Sequence, residues 1–245
     1  MESNDNRTYR KHFIPLESNP EVFTELVHKL GLSKSLSFQD VLSLDDPELL
    51  AFIPRPAYAL ILVAPTTAMY EKRAMEEDAE AEYYEGFGEQ EDMVFFKQTI
   101  HNACGLYGIL HAVTNGDARR YIQPNSVLAH LLEKGIPLKP DERAAVLEDS
   151  AELESVYASV ASKGDTEAPR AEDEVDFHYI CLVRSHRNGR LFQMDGDRKR
   201  PIDLGELGEG DDILSDALGV VRGMVERDKG ENLNYSLMAL VPTHD

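Results

Sequence analysis

The segment KQTIHNACGLYGILH, residues 97–111, decides how the rest of the chain is read. Leu106, Ile109, Leu110 and Val113 recur at helical spacing and stop at Asn115-Gly116, which predicts a helix with Cys104 at its start. A thiol kept for packing would sit inside the apolar run, but this one stands in a small-residue turn before it. The unpaired N–H groups and positive dipole end of a helix N-terminus favour a thiolate over a thiol. Cys104 is therefore a candidate nucleophile.

Nucleophilic chemistry at a cysteine needs a base, an orienter for that base and donors for a tetrahedral oxyanion. Gln98, six residues before Cys104, can share the oxyanion with the Cys104 backbone N–H. His178 lies in VDFHYICLV (175–183), Asp195 ends RLFQMD (190–195), and Asn188-Gly189 between them is a hairpin turn signal. With a four-residue loop, 186–189, position 180 faces 195 and position 178 faces 197. His178 and Asp195 then become diagonal neighbours on one face, roughly 7–8 Å apart by backbone. A two-residue loop keeps the face and adds distance, whereas an odd-numbered loop without a bulge puts the two on opposite faces.

The remaining composition narrows the class. The chain has 245 residues, 42% of them hydrophobic, which is enough for a real core in one α/β domain. The polar start MESNDNRTYRK carries no apolar core of a secretion signal, and no run of eighteen apolar residues occurs, so a cytoplasmic and also nuclear protein is expected. Two cysteines in such a compartment stay reduced. The net charge of −20 is concentrated: residues 71–92 hold 10 acids against 2 bases, and residues 141–176 hold 12 against 3. Such a surface repels nucleic acid and anionic membrane and speeds encounter with a basic partner; solubility alone is the plainer reading of it.

Along the chain, Asn19, Pro20 and Gly31 delimit a helix over 20–30, and a second, weaker helical stretch is expected near 38–52. AYALILVAP (57–65) predicts a strand buried on both faces. Residues 67–92 read as a solvated helix fading into a loop around Gly86 and Gly88, and further helices are expected at 126–133, 141–148, along Leu153, Val156, Tyr157 and Val160, and at 211–228, before a last strand at 234–241.

VFFKQTIHNACG, the apolar helix after it, DFHYICLV and LFQMDGDRKRPI together resemble the papain-like ubiquitin C-terminal hydrolase family in its short single-domain form. The resemblance runs from FIPLESNPEVF through PELLAFIPRP and GDTEAPRAEDEVDFH to the last strand. It implies Cys104 as nucleophile, His178 as general base and then acid, Asp195 as orienter and Gln98 as oxyanion-hole donor, with Asn102 in the motif's asparagine position. It also implies one catalytic domain over 1–245, a central antiparallel sheet flanked by helices, and a knotted backbone. A loop of about residues 150–172 would cross the active site and admit only thin, flexible leaving groups.

The implied activity is thioester-mediated cleavage of small adducts or short unfolded peptides from the C-terminal glycine of ubiquitin, or of a close ubiquitin-like modifier. It needs no cofactor. Pro15, Leu16 and Tyr235 are the implied contacts to ubiquitin, and a monomer is the default state. Leu106 and Tyr107 depart from the smaller residues usual after the motif's Cys-Gly. The competing class is a non-catalytic ubiquitin-binding module, and a third is a thiol redox sensor. Cys181, inside YICLV, reads as buried packing, and His101 with Cys104 lacks the further ligands a metal site needs. His28 and His111 read as structural or solvated, and Arg198-Lys199-Arg200 is too short for a nuclear signal.

Overall fold

In the computed structural model, which describes residues 8–166, 168–173, 175–208, 212–227 and 234–243, the chain runs through β1 (Lys11–His12), α1 (Pro20–Leu30), β2 (Leu36–Asp40), α2 (Pro47–Leu50), β3 (Ala59–Pro65) and α3 (Ala68–Glu80). It continues through β4 (Ile100–His101), α4 (Cys104–Thr114), a 3-10 turn (Asp117–Tyr121), α5 (Val127–Gly135), α6 (Pro140–Glu148) and α7 (Ala151–Ala161). Last come β5 (Phe177–Arg184), β6 (Leu191–Met194), β7 (Ile202–Gly205), α8 (Leu214–Arg227) and β8 (Ser236–Pro242). No helix among the described residues is long and apolar enough to cross a membrane.

Six strands form one sheet in the order β2-β8-β3-β5-β6-β7, antiparallel at every pairing. The apolar run in β3 is buried at every position because both sheet faces are covered. Ala59, Ile61 and Val63 join the core formed with α1 and α4, and Leu60, Leu62 and Ala64 join the core formed with α8. β5 divides the same way, with Tyr179, Cys181 and Val183 on the first side and Ile180 and Leu182 on the second. Helix α1 begins and ends where its capping residues place it: Asn19 accepts from the Glu21 and Val22 N–H groups, and Gly31 closes the helix at φ 109°.

Three expectations need correction. The 38–52 stretch is not a helix, because Leu36 and Phe38 alternate with less buried neighbours along β2, which pairs with β8, and only Pro47–Leu50 is helical. The crossing loop does not start at 150. Ser150 caps α7, which buries Leu153, Tyr157 and Val160, so of the segment 162–176 before β5 the described residues alone, 162–166, 168–173, 175 and 176, are seen to be non-helical. Helix α8 starts at Leu214 rather than 211. Residues 211 and 228, with Glu167 and Glu174, lie outside the described residues.

The segment between α3 and β4 follows an irregular path, yet Met93, Val94, Phe95 and Phe96 are buried. Arg143 of α6, fully buried, holds it in place. Its guanidinium donates to Glu91 at 2.7 and 3.2 Å and to the carbonyls of Gly135, Phe95 and Leu138 at 2.9–3.0 Å. Burial raises Glu91 to about 7 even beside the arginine, so without Arg143 the carboxyl goes neutral, and it and three carbonyls lose their buried donor. Arg143→Ala should lower stability by about 3–5 kcal/mol in urea unfolding; a loss under about 1 kcal/mol, the range of an exposed pair, would show that the pair carries no such weight.

Candidate active site

The β5–β6 hairpin sets the site. Cys181 faces Met194 and Arg184 faces Leu191, and the Ser185 N–H donates to Arg190 O at 2.8 Å, which leaves a four-residue loop, 186–189. Gly189 takes φ 72° in that turn, a conformation that suits glycine. The register is the one that places 180 opposite 195. His178, near the start of β5, therefore meets Asp195, just past the end of β6, and its Nε2 lies 2.7 Å from Asp195 Oδ1. Both residues are buried.

The remaining valences of Asp195 are met as well. The Asp197 N–H donates to Oδ1 at 3.0 Å, and the Tyr70 hydroxyl donates to Oδ2 at 3.2 Å. Tyr70 also sets its ring 6.4 Å from that of His178. It belongs to α3, whose Glu77 and Asp78 grip the buried Arg198 guanidinium at 2.8 and 2.9 Å, so the helix is tied to the turn carrying Asp195. Asp197 Oδ2 stands 3.8 Å from His178 Nδ1. Neither Tyr70 nor Asp197 is picked out by sequence reasoning. The available signal for Tyr70 is that it is the sole aromatic in a charged helix, three residues after the Thr67 cap.

Cys104 is the first residue of α4, and no side chain caps that helix, so no capping oxygen competes for its N-terminal N–H groups. The thiol is 7% exposed, and it acts on His178 as a hydrogen-bond partner. Burial pushes the His178 pKa down, but the charge of Asp195 and the ring's hydrogen bonds to Asp195 and Cys104 outweigh it and hold the ring well above 6.5. Burial likewise pushes Asp195 up, and the charge and hydrogen bond of His178 with the Asp197 N–H hold it below 3.8. A buried thiol, imidazole and carboxylate in this sequence can pass a proton along one line.

Gln98 is buried beside this line, its N–H donating to Gly196 O at 2.8 Å. A Cβ on Gly196 would come within 2.9 Å of Gln98 Cβ, so glycine is required for that approach. Asn102 takes the left-handed conformation at φ 58°, and its Nδ2 donates to Ala171 O at 3.0 Å and Asp173 O at 2.7 Å, tying the 162–176 segment to the Cys104 turn. His101 turns to Ala171 O and to His12, Nδ1 to Nδ1 at 3.1 Å, rather than forming a site with Cys104.

Pro15, Leu16 and Tyr235 line a cavity of about 490 Å³ that also contains Cys104, Val63, Phe177 and Tyr179. Leu16 is itself 4% exposed, packed where Gly105 lets the N-terminal arm approach α4. Among the described residues, His178, Asp195 and Asp197 form the cluster whose ligand atoms lie close enough to share a metal, and Asp195 in it is already committed to Tyr70 and His178. Cys181 is fully buried and burial pushes its thiol pKa up. His111 accepts from the Phe96 N–H and is pushed down to about 4 by burial, and His28 bonds Leu36 O at 2.7 Å. Arg198 is spent on its ion pairs, and Lys199 lies over the Tyr83 ring.

A helix-borne thiol set against an imidazole–carboxylate pair from an antiparallel sheet defines the papain-like class of cysteine hydrolase. The sequence profile of ubiquitin carboxyl-terminal hydrolase, family 1, matches residues 13–226. A ubiquitin carboxyl-terminal hydrolase of Aplysia californica is 38% identical over 89% of this chain and 97% of its own, and one of Drosophila melanogaster 37% over 92% and 96%. The human isozyme L1 is 34% identical over 92% and 96%. The crystal structure of the Trichinella spiralis UCH37 catalytic domain bound to ubiquitin vinyl methyl ester shares the fold, with a TM-score of 0.72 at 18% identity over 96% of this chain and 98% of that one. The chain belongs to the ubiquitin carboxyl-terminal hydrolase family, and it is a thiol-dependent ubiquitinyl hydrolase.

Because His178 is raised and Asp195 lowered, the pair's contribution to stability is complete between 3.8 and 6.5. It fades as pH rises through the folded-state value of His178 or falls through that of Asp195. Asp195→Asn removes the opposing charge and leaves burial in control. The His178 ring protons, followed by NMR, should then titrate below 6.5; titration still above that value would mean that another group holds the proton.

Proposed function

We propose that Cys104 is the nucleophile of a deubiquitinating reaction, with His178 as its base and then acid, Asp195 as orienter and Gln98 as oxyanion donor. The observation that carries this reading is the 2.7 Å grip of Asp195 on His178 Nε2, which leaves the opposite side of the ring for the Cys104 sulfur. The thiolate forms a bond to the carbonyl carbon of ubiquitin's terminal glycine, and the carbonyl π electrons move onto oxygen. The Gln98 amide and Cys104 N–H groups stabilise that oxyanion. Its collapse breaks the C–N bond as His178 gives its proton to the departing amine. Water then attacks the thioester, surrendering a proton to His178, and the thiolate leaves.

The apolar groove beside Cys104 suits an extended chain, and the sulfur at its floor demands a residue without a side chain at the scissile position. Pro15, Leu16 and Tyr235 border the groove on the side we assign to ubiquitin. The 162–176 segment closes it. At one end Glu17 accepts from the Thr166 N–H and hydroxyl at 2.9 and 2.8 Å, Asn19 donates to Asp165, and Lys163 pairs with Glu25. At the other end stands Asn102. A strap anchored twice leaves a span fixed by chain length, which supports thin or unfolded leaving groups as substrates.

Incubation with ubiquitin carrying a C-terminal electrophile should label Cys104 and leave Cys181 untouched, and Cys104→Ala should retain ubiquitin binding without forming an adduct. Tight binding of the unaltered protein with no adduct would instead indicate a binding module. Gln98→Ala should reduce kcat by roughly 10²–10³ with the fold intact. Inserting flexible residues into 162–176 should admit bulkier leaving groups, and unchanged selectivity between a small adduct and a folded fusion would remove the strap from the account.

A further inference from the structure

Gln98 and Thr99 lie outside any strand, so no ladder fixes the backbone that aims the Gln98 side chain. Two hydrogen bonds stand in for one. The Gln98 N–H, in the peptide before its Cα, is held by Gly196 O at 2.8 Å. The Thr99 N–H, in the peptide after it, is held by the Tyr107 hydroxyl oxygen at 3.2 Å. Tyr107 is 1% exposed and sits one turn beyond Cys104 on α4. Its hydroxyl faces the backbone of Thr99 and Ile100, and burial raises its pKa, so it remains neutral and available as an acceptor.

The first bond ties Gln98 to the turn that carries Asp195, and the second ties it to the helix that carries Cys104. The direction of a side chain is set by the two peptide planes flanking its Cα, because φ and ψ are the soft dihedrals of the backbone. Among the described residues the buried Gln98 Oε1 has no hydrogen-bond partner, so no contact of that oxygen with them holds the amide in place. Its aim depends on the backbone.

We infer that Tyr107 is a positioning residue for the oxyanion hole: its hydroxyl locks the Gln98–Thr99 peptide to the nucleophile helix and thereby fixes the Gln98 amide relative to the reacting carbonyl. The inference rests on the assignment of Gln98 as oxyanion donor. A displacement of about 1 Å in such a donor can cost up to about 100-fold in rate. The ground-state complex, in which no oxyanion exists, is indifferent to it.

The test is a double-mutant cycle with a ubiquitin amide of a fluorophore as substrate. Tyr107→Phe should lower kcat by roughly 10- to 100-fold with KM unchanged. In a Gln98→Ala background the same substitution should change kcat by less than about twofold, because the group it positions is gone. Affinity for ubiquitin aldehyde, whose thiol adduct carries the oxyanion, should fall by the same factor as kcat, while affinity for unmodified ubiquitin holds.

Should Tyr107→Phe fail to fold, a ring-fluorinated tyrosine at 107, a weaker acceptor of the same shape, should give a smaller loss with the same selectivity. Losses that multiply with those of Gln98→Ala, or that fall equally on ubiquitin and its aldehyde, overturn the inference. So does a silent Tyr107→Phe beside an impaired Gln98→Ala. A Gln98→Ala enzyme of unimpaired kcat overturns the oxyanion assignment itself, and the inference with it.

Discussion

The bond between His178 and Asp195 is the constraint around which the site is arranged. Both groups are buried, and a buried charge without a partner shifts its pKa until it is neutral. Paired at 2.7 Å, each keeps the other ionised, and the imidazolium that results is the natural companion of a thiolate. Asp195 takes Nε2, and Nδ1, on the opposite side of the ring, stands 3.8 Å from Asp197 Oδ2. Tyr70 and the Asp197 N–H complete the carboxylate's hydrogen bonds, so it is pinned in place rather than turning between partners.

That pair comes together through local rules acting on a single hairpin, whereas its surroundings come from everywhere else. The turn after Asp195 supplies Gly196 to Gln98 and Arg198 to α3, so two residues just beyond β6 fasten the Gln98 segment and the helix carrying Tyr70. Arg143 does the same for the strandless approach to Gln98, binding Glu91 and Phe95 O from α6. Irregular backbone can hold a donor in place when its N–H groups are claimed one by one, and here they are claimed by a carbonyl, a tyrosine and a ladder of two residues at β4.

How much of this was legible follows from the reach of each rule. A side-chain period of two and a turn signal place His178 and Asp195 on one face, because those positions are seventeen residues apart and share one loop. Apolar periodicity places Cys104 at a helix start for the same reason. Tyr70 meets Asp195 across 125 residues and Asn102 meets the strap across about 70, and no local pattern encodes either meeting. The misread 38–52 segment makes the point from the other side. Its strand spans five residues, too few for alternation to outweigh apolar spacing that also fits a helix, and its partner β8 lies at the far end of the chain.

The acid-rich composition looked at first like a surface property, and it turns out to be partly internal wiring. Glu77 and Asp78 hold Arg198, Glu91 holds Arg143, and Glu17 latches the strap. Pairing does not remove net charge, however, and a chain at −20 still projects a negative field beyond its contacts. The two stretches that concentrate the acids overlap α3, whose Tyr70 contacts Asp195, and the residues after α7 that line the cavity beside Cys104. A field of that sign reaches further than any of the short-range bonds, and it favours the approach of basic over acidic groups. Short-range pairing by individual carboxylates and long-range attraction by their sum are separable effects of the same residues, and salt screens the second far more than the buried pairs within the first.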